Sequence, residues 1–391
     1  MTPPLLLKPG PVQVPPEVLK AGAAPMTHHN SAEFQAIFKP LFGQLRPFFG
    51  NDGALMLQNS SGRGAMEASL TNLFNPGDAI AVIVNGRFGL RFAGIAKDLG
   101  LIVHSVCPEW GITAREEEIA ETLKKHPEIK GIIGSWCETG MGVLNDLDMV
   151  GRIGKRFGIV TIIDAVSAAA GMPINMKAQN IDVCFSGIQK CFMCPPGLAI
   201  VALNERVWDI ICNCKHYRHY FNWVKIREWA EAPKPRMMGT PPESLIRSLS
   251  CAVGMMHREG LPNVYARHQQ LANAFRAFAA EIGCELAAKE PEYRSNTVTA
   301  MMLPAGIKSG DITKHVLQHA NVAIASGQDT LKDTAIRMGH MGPVQPDMLM
   351  RGVVALANAL SAHGMDPKLA QSGVEACATV VAQSRSVVCA A

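Results

Sequence analysis

Charge is scarce in this sequence. Asp, Glu, Lys and Arg together make up 18% of 391 residues, and the formal net charge is only +4 at pH 7. There is no long basic run and no basic stripe interleaved with aromatics, so nucleic acid is not expected as a partner. Long apolar runs are missing too: nowhere do about 18 residues pass without Gly, Pro or charge, which excludes a membrane-spanning helix. The opening "MTPPLLLKPGPVQVPP" lacks the apolar core and small-residue cleavage site of an export signal, so a cytoplasmic location is expected. Eleven cysteines, an odd number spread over a long chain, fit reduced thiols better than a disulfide framework. The final "CAA" is one residue short of a prenylation box. Neither an internal repeat nor a low-complexity tract is visible.

What is present is a packed chain. Hydrophobic residues reach 48%, and the length suits about two domains around large cores. Apolar, β-rich runs at 78–86, 101–106, 129–136, 158–166 and 181–187 read as buried strands. Between them, "RFAGIAKDLG", "REEEIAETLKKHP" and "LDMVGRIGKRFG" have helical spacing and stop near Gly or Pro. This alternation predicts an α/β fold with a mostly parallel sheet covered on both faces. Beyond about residue 260 comes a smaller α+β unit: a long amphipathic helix, then "TVTAMMLP", a helix, "VAIASG", "AIRMGHMG" and a helix over 347–362. A further apolar-periodic helix over 366–391 has no assignable role.

Three features carry chemistry. In "QNSSGRGAMEASL" two glycines lead from a Ser-rich turn into a helix, so the backbone N–H groups of Gly62, Arg63 and Gly64 point out of a helix start, where phosphate binds. A Gly/Ser turn of this kind is also how an ordinary helix is capped. Asp164 closes a buried strand at the sheet edge where open α/β sheets bind ligands, although it could equally cap the next turn. Lys190 follows 26 residues later, after one more strand. In an apolar site its ammonium is disfavoured and the amine becomes a nucleophile; a surface or paired lysine is the commoner alternative. Together the three match the needs of pyridoxal 5'-phosphate: a phosphate cradle, a pyridinium partner and a Schiff base.

The chain resembles the class V aminotransferases of fold type I, in particular the alanine/serine–glyoxylate group, over residues 8–362. The matching stretches include "PGPVQVPPEV", "SGRGAMEASLTNLFNPGD", "VNGRFG", "IIDAVSAAAGMP", "IDVCFSGIQKCFMCPPGLA", "PPESLIRSL", "EGLPNVYARH" and "IRMGHMG". The resemblance implies a large domain with a mostly parallel seven-stranded sheet over 21–260. It also implies an arm over 1–20 that packs with a smaller α+β domain, itself spanning 261–391 with the extra helical tail. The expected activity is transamination between a small amino acid and glyoxylate or pyruvate, with ping-pong kinetics through an internal aldimine on Lys190. Asp164 would pair with the pyridine nitrogen, Phe88 would stack on the ring, and Val166 and Thr139 would also touch the cofactor. Gly62, Arg63, Gly64 and Gln189 would hold the phosphate, with Thr240 arriving from the second subunit of a homodimer that shares its active sites. Arg337 would bind the substrate carboxylate with a bidentate fork that lysine cannot reproduce. His29 and Asn30 would line the substrate pocket.

Departures from the pattern bear on substrate choice. Relatives commonly carry a hydroxyl-rich E-T-S-T-G where this chain has "ETGMG" (138–142), a tyrosine where it has Met238, and G-H-R-S where it has "HHNS" (28–31). "GHMGPVQP" is also similar to pyridoxamine–pyruvate aminotransferases, and "NGRFG" with "CPEWG" to ureidoglycine–glyoxylate aminotransferases. A cysteine desulfurase shares the fold but needs a mobile-loop cysteine that none of the eleven resembles. Cys191 and Cys194, and the Cys/His stretch 212–219, have tight spacing, yet no metal site is expected, because the first pair falls inside the lysine motif. His340 reads as a packed, hydrogen-bonded histidine rather than a general base.

Overall fold

The structure, a computed structural model, describes residues 3–388, with side chains to 383. A seven-stranded sheet runs through its centre. Its strands are β1 (Ala54–Gln58), β2 (Ala79–Ile83), β3 (Ile102–Val106), β4 (Ile129–Ser135), β5 (Val160–Asp164), β6 (Val183–Gly187) and β7 (Ala199–Leu203). The order across the sheet is β1-β7-β6-β5-β4-β2-β3. Neighbours are parallel except at β7, which is antiparallel to both β1 and β6. Both faces are covered, which is why the strands are apolar throughout instead of alternating. Along β2, Ala79, Ala81 and Ile83 pack into one apolar cluster while Ile80 and Val82 pack into another across the sheet. Edge strand β3 is the partly exposed one, and it carries the polar His104 and Ser105.

The helices between strands start and stop where their ends are satisfied. Helix α1 (Gly62–Leu73) follows β1, and α2 (Arg87–Asp98) follows β2. In α3 (Glu116–Lys125), three acids in the first turn and two lysines in the last complement the helix dipole. Helix α4 (Leu147–Phe157) begins with Asp146 accepting from Met149 N–H at 3.0 Å and ends on left-handed Gly158. The chain goes from β2 outward to edge strand β3, then returns to β4 on the other side of β2. That reversal opens a crevice beyond the carboxyl ends of β2 and β4, the general ligand position in such sheets.

Two long helices, α5 (Glu243–Glu259) and α6 (Leu261–Glu281), lead to the smaller sheet. It contains β8 (Val298–Met302), β9 (Ala325–Ser326) and β10 (Ala335–Gly339), all antiparallel in the order β8-β10-β9. Helices α7 (Ser309–Ala320), α8 (Pro346–Ala362) and α9 (Pro367–Val388) complete it. The segment "VAIASG" forms no single strand: Ala325 and Ser326 pair with β10, whereas Val322–Ala323 pairs in parallel with Leu5–Leu6. The amino-terminal residues thus lie against the last third of the chain. The tail helix α9 also has a place, against α6 and α8. It buries Ala370, Val374 and Cys377 in one cluster with Phe275, Phe278 and Ile282. Gly373 permits the approach, since a Cβ there would come within 2.6 Å of Ile282 Cγ2. No helix among the described residues is long and apolar enough to cross a membrane.

Candidate active site

Turns after β1, β2, β5 and β6 meet at one cleft of about 210 Å³. Gly62, Arg63, Phe88, Asp164, Gln189 and Lys190 all line it, joined by Val166 and by Arg91. Asp164 is buried at the end of β5, and its Oδ1 accepts from the backbone N–H of Val166 at 2.8 Å. Burial raises its pKa to about 6 against the opposing pull of that N–H, of Lys190 and of Arg91. Lys190 is pushed the other way: burial lowers its amine to about 8. Its Nζ donates to the carbonyl oxygen of Pro9. An acid and an amine thus share a cleft that penalises both charges, and a cationic ring nitrogen beside Asp164 would restore the carboxylate. A larger cavity of about 590 Å³ beside Arg267 and Met348 offers no comparable pair, because its Glu259 and Arg267 already hold each other at 2.7 Å.

The entrance to α1 fits an anion. Ser61 precedes the helix without capping it, so the first-turn N–H groups are left to a ligand. Gly62 is required there, since a Cβ would lie 2.5 Å from Val166 Cγ2. Across the cleft, Gln189 Oε1 is buried without a hydrogen-bond partner. A buried amide in that state is completed by a polar ligand.

Arg337, on β10, is buried near this cleft, and its charge contributes to lowering the Lys190 pKa. Nε donates to Ser326 O at 3.0 Å, while Nη1 donates to Gln328 Oε1 at 3.2 Å and to Thr139 O at 3.4 Å. Among the described residues no hydrogen bond involves Nη2. Burial brings the guanidinium down to about 10, partly opposed by Glu138. Thr139 is fixed by a 2.6 Å hydrogen bond between its hydroxyl and that of Ser167.

Not every residue expected at the site gathers there within one chain. His29 and Asn30 lie in a partly exposed loop, stacked and hydrogen-bonded through His28, and are not part of the cleft lining. Thr240 is exposed, with its carbonyl accepting from Asn59 at 3.2 Å, just upstream of the Ser61–Gly62 turn. Gly64 sits against Ser60. Conversely, Glu138 was missing from the sequence reading. It is fully buried, and burial pushes it to about 7 even though the N–H groups of Gly140, Phe88 and Gly89 all donate to it. Arg91 was missed as well, and its guanidinium stands 4.9 Å above the Phe88 ring. Glu138 stands beside a glycine turn in "ETG", a context that could signal it, whereas Arg91 lies in the second turn of α2 and carries no such local signal.

Several of the cysteine and histidine candidates are packed, whereas Cys212 and His219 are exposed. Cys191 is buried with its thiol pushed up to about 12, and Cys214 and His216 contact the carbonyl of Phe74. His340 is buried between Thr299 Oγ1 and Asn296 O, both at 2.9 Å. Among the described residues, the side chains with metal-like proximity are elsewhere, at His104, His126 and Glu128, where the two rings are stacked at 3.7 Å.

The family described as Aminotransferase class-V matches residues 5–353, most of the chain. The chain is a class V aminotransferase. It is 33% identical to the serine–glyoxylate aminotransferase of Hyphomicrobium methylovorum over 94% of its own length and 92% of the relative's. Two solved structures superpose over nearly all of both chains. One is the pyridoxamine–pyruvate aminotransferase of Mesorhizobium loti, with TM-score 0.92, 25% identity and 98% of each chain covered. The other is the ureidoglycine–glyoxylate aminotransferase of Bacillus subtilis, with TM-score 0.90, 25% identity and 97% and 98% covered. The fold is that of fold type I pyridoxal-phosphate enzymes, and this aminotransferase uses pyridoxal 5'-phosphate. The acid, the lysine, the flat Phe88 and the uncapped helix start fit that group.

Proposed function

We propose that this aminotransferase moves the amino group of a small amino acid, of alanine or serine type, to a 2-oxo acid such as glyoxylate or pyruvate. The observation that carries the reading is Arg337: a buried guanidinium with an unused edge, close enough to Lys190 to shift its pKa. A single α-carboxylate matches that edge and positions Cα beside the amine.

In this reading pyridoxal phosphate supplies an electron-accepting ring that acidifies Cα–H and stores the amino group between two half-reactions. Gly62, Arg63 and Gly64 would hold the phosphate with their backbone, Gln189 would add its amide, and Phe88 and Val166 would contact the ring. Asp164 would keep a proton on the ring nitrogen. Thr139, its hydroxyl bonded to Ser167, would touch the cofactor. Lys190, with its pKa near 8, is neutral in part at physiological pH, so its Nζ can hold the cofactor and then carry a proton at Cα. The exposed Gly239–Thr240 turn and the loop of His29 and Asn30 support a homodimer in which Thr240 and these loop residues complete the partner's site. Ten free thiols among the described residues support a cytoplasmic setting.

A half-reaction screen tests the substrate. The holoenzyme is mixed with amino acids, with donors bearing phosphonate or sulfonate instead of carboxylate, and with pyridoxamine, and loss of the visible cofactor band is followed. α-Carboxylate donors should react; equal reaction of donors without one would defeat the Arg337 assignment. The likeness to the pyridoxamine–pyruvate enzyme favours a second reading, with free pyridoxamine as donor. Purification with tightly held pyridoxal phosphate counts against it.

A further inference from the structure

The amino-terminal arm crosses directly over the lysine. Leu5–Leu6 pairs with Val322–Ala323, and Leu7 O then accepts from Gly339 N–H at 2.8 Å, at the end of the strand that carries Arg337. The contact is close: a Cβ on Gly339 would stand 2.3 Å from Lys8 O. Four residues after Lys8, Val12 N–H donates to Gln189 O at 3.2 Å. Between these anchors lie Pro9, whose carbonyl accepts from Lys190 Nζ, and Gly10. A Cβ on Gly10 would lie 2.3, 2.6 and 2.7 Å from Cδ, Cε and Nζ of Lys190. Gly10 also has φ +106, a conformation that side chains resist.

We infer that the Pro9 carbonyl and the bare α-carbon of Gly10 form a seat for the free amine of Lys190, making the arm a positioning element of the active site. The inference rests on the assignment of Lys190 as the cofactor lysine. The reasoning is geometric. A lysine side chain has four rotatable bonds, and a free amine in an apolar cleft needs an acceptor. Gln189 O is taken by Val12 N–H and Asp164 Oδ1 by Val166 N–H, whereas Pro9 O lies between the strand pairing of Leu5–Leu6 on one flank and the Val12 contact on the other. Holding the amine there keeps it within reach of the cleft whenever it is not bonded to the cofactor. A backbone carbonyl accepting from the amine also favours its protonated form over the neutral one.

Gly10→Ala tests this, with Gly77→Ala as the strain control, because Gly77 has φ +87 but nothing within 4 Å of a built Cβ. Cofactor is removed, and the rate at which each protein captures added pyridoxal phosphate is measured against pH, with thermal unfolding alongside. Gly10→Ala should capture cofactor about tenfold or more slowly, since displacing a reacting group has effects of that size. Its pH midpoint should fall by about half a unit. Gly77→Ala should match wild type. Wild-type rate and midpoint in Gly10→Ala would overturn the proposal. Should Gly10→Ala unfold, the reverse variant decides: in cofactor-free Lys190→Met, hydrogen exchange over residues 5–12 should speed up relative to the cofactor-free wild type, and unchanged exchange would equally overturn it. The underlying assignment fails separately, if Lys190→Met captures cofactor with the wild-type visible band.

Discussion

Phe88 and Glu138 stand 50 residues apart in the chain and are joined by a 2.8 Å hydrogen bond from the Phe88 N–H to Glu138 Oε2. The same carboxylate takes Gly89 N–H at 3.3 Å and, through Oε1, Gly140 N–H at 3.2 Å. One side chain thus fixes the start of α2, the ring of Phe88 and the turn bearing Thr139. Glu138→Gln would set an amide NH₂ against a backbone donor, at a cost of about 1–3 kcal/mol. Calorimetry should show that loss, and equilibrium titration should show weaker cofactor binding because Phe88 moves. Unchanged values in both would mean the carboxylate is a bystander.

Two buried carboxyl groups should contribute stability that is lost as pH rises towards neutrality, while buried His268 and His340, both lowered to about 3 by burial, contribute in the opposite sense. Glu138 and Asp164 have native pKa values of about 7 and 6, both raised by burial. At these two groups the folded state therefore binds more protons than the unfolded one between about pH 4 and 7, and their contribution to stability falls as pH rises through that window. Lys190, lowered to about 8, acts in the opposite sense: the unfolded state holds more protons above pH 8, so its own contribution to stability recovers there. Each pKa unit corresponds to about 1.4 kcal/mol, so the Glu138 contribution is measurable as the difference in thermal stability between wild type and Glu138→Gln across pH. That difference should shift in favour of the variant as pH rises from about 4 to 7. A difference independent of pH would contradict the burial of Glu138.

Arg337→Lys should raise KM for the amino donor by about tenfold to a hundredfold, the effect of losing a charged, two-point hydrogen bond. Thermal stability should also fall, by about 1–3 kcal/mol, because lysine cannot replace the guanidinium's hydrogen bonds to Ser326 O and Gln328 Oε1, while cofactor absorbance should stay as in wild type. Steady-state kinetics with two donors checks it. Equal KM for wild type and variant would remove Arg337 from carboxylate binding.

Gly373→Val should destabilise the protein by about 1–3 kcal/mol through overpacking against Ile282 and Phe278. The measurement is denaturant unfolding. If α9 were loosely attached, the variant would unfold at the wild-type midpoint.

The parts of this protein legible in its sequence are those specified locally. Five apolar runs became β2 to β6, and the helix ends at Asp146 and Gly158 follow capping chemistry visible in the string. Strands β1 and β7 were not singled out, because "ALMLQ" and "AIVAL" are five-residue apolar runs whose period does not distinguish strand from buried helix. The lysine, the aspartate and the glycine turn could be read because their residue types are demanding and their spacing is regular. Glu138 and Arg91 could not, since their importance comes from partners brought near only by the crossing of β2 and β4. The Pro9 contact lies 181 residues from its lysine and has no trace in local pattern at all.

The pairing of Leu5–Leu6 with Val322–Ala323 sets a timetable for biosynthesis. On a ribosome adding about 5–20 residues per second, the first strand waits roughly 15–60 s for its partner to be made. Until then the stretch that will lie across Lys190 has nowhere to dock, and the newborn enzyme must keep an apolar leader unpaired while most of its sheet is already assembled.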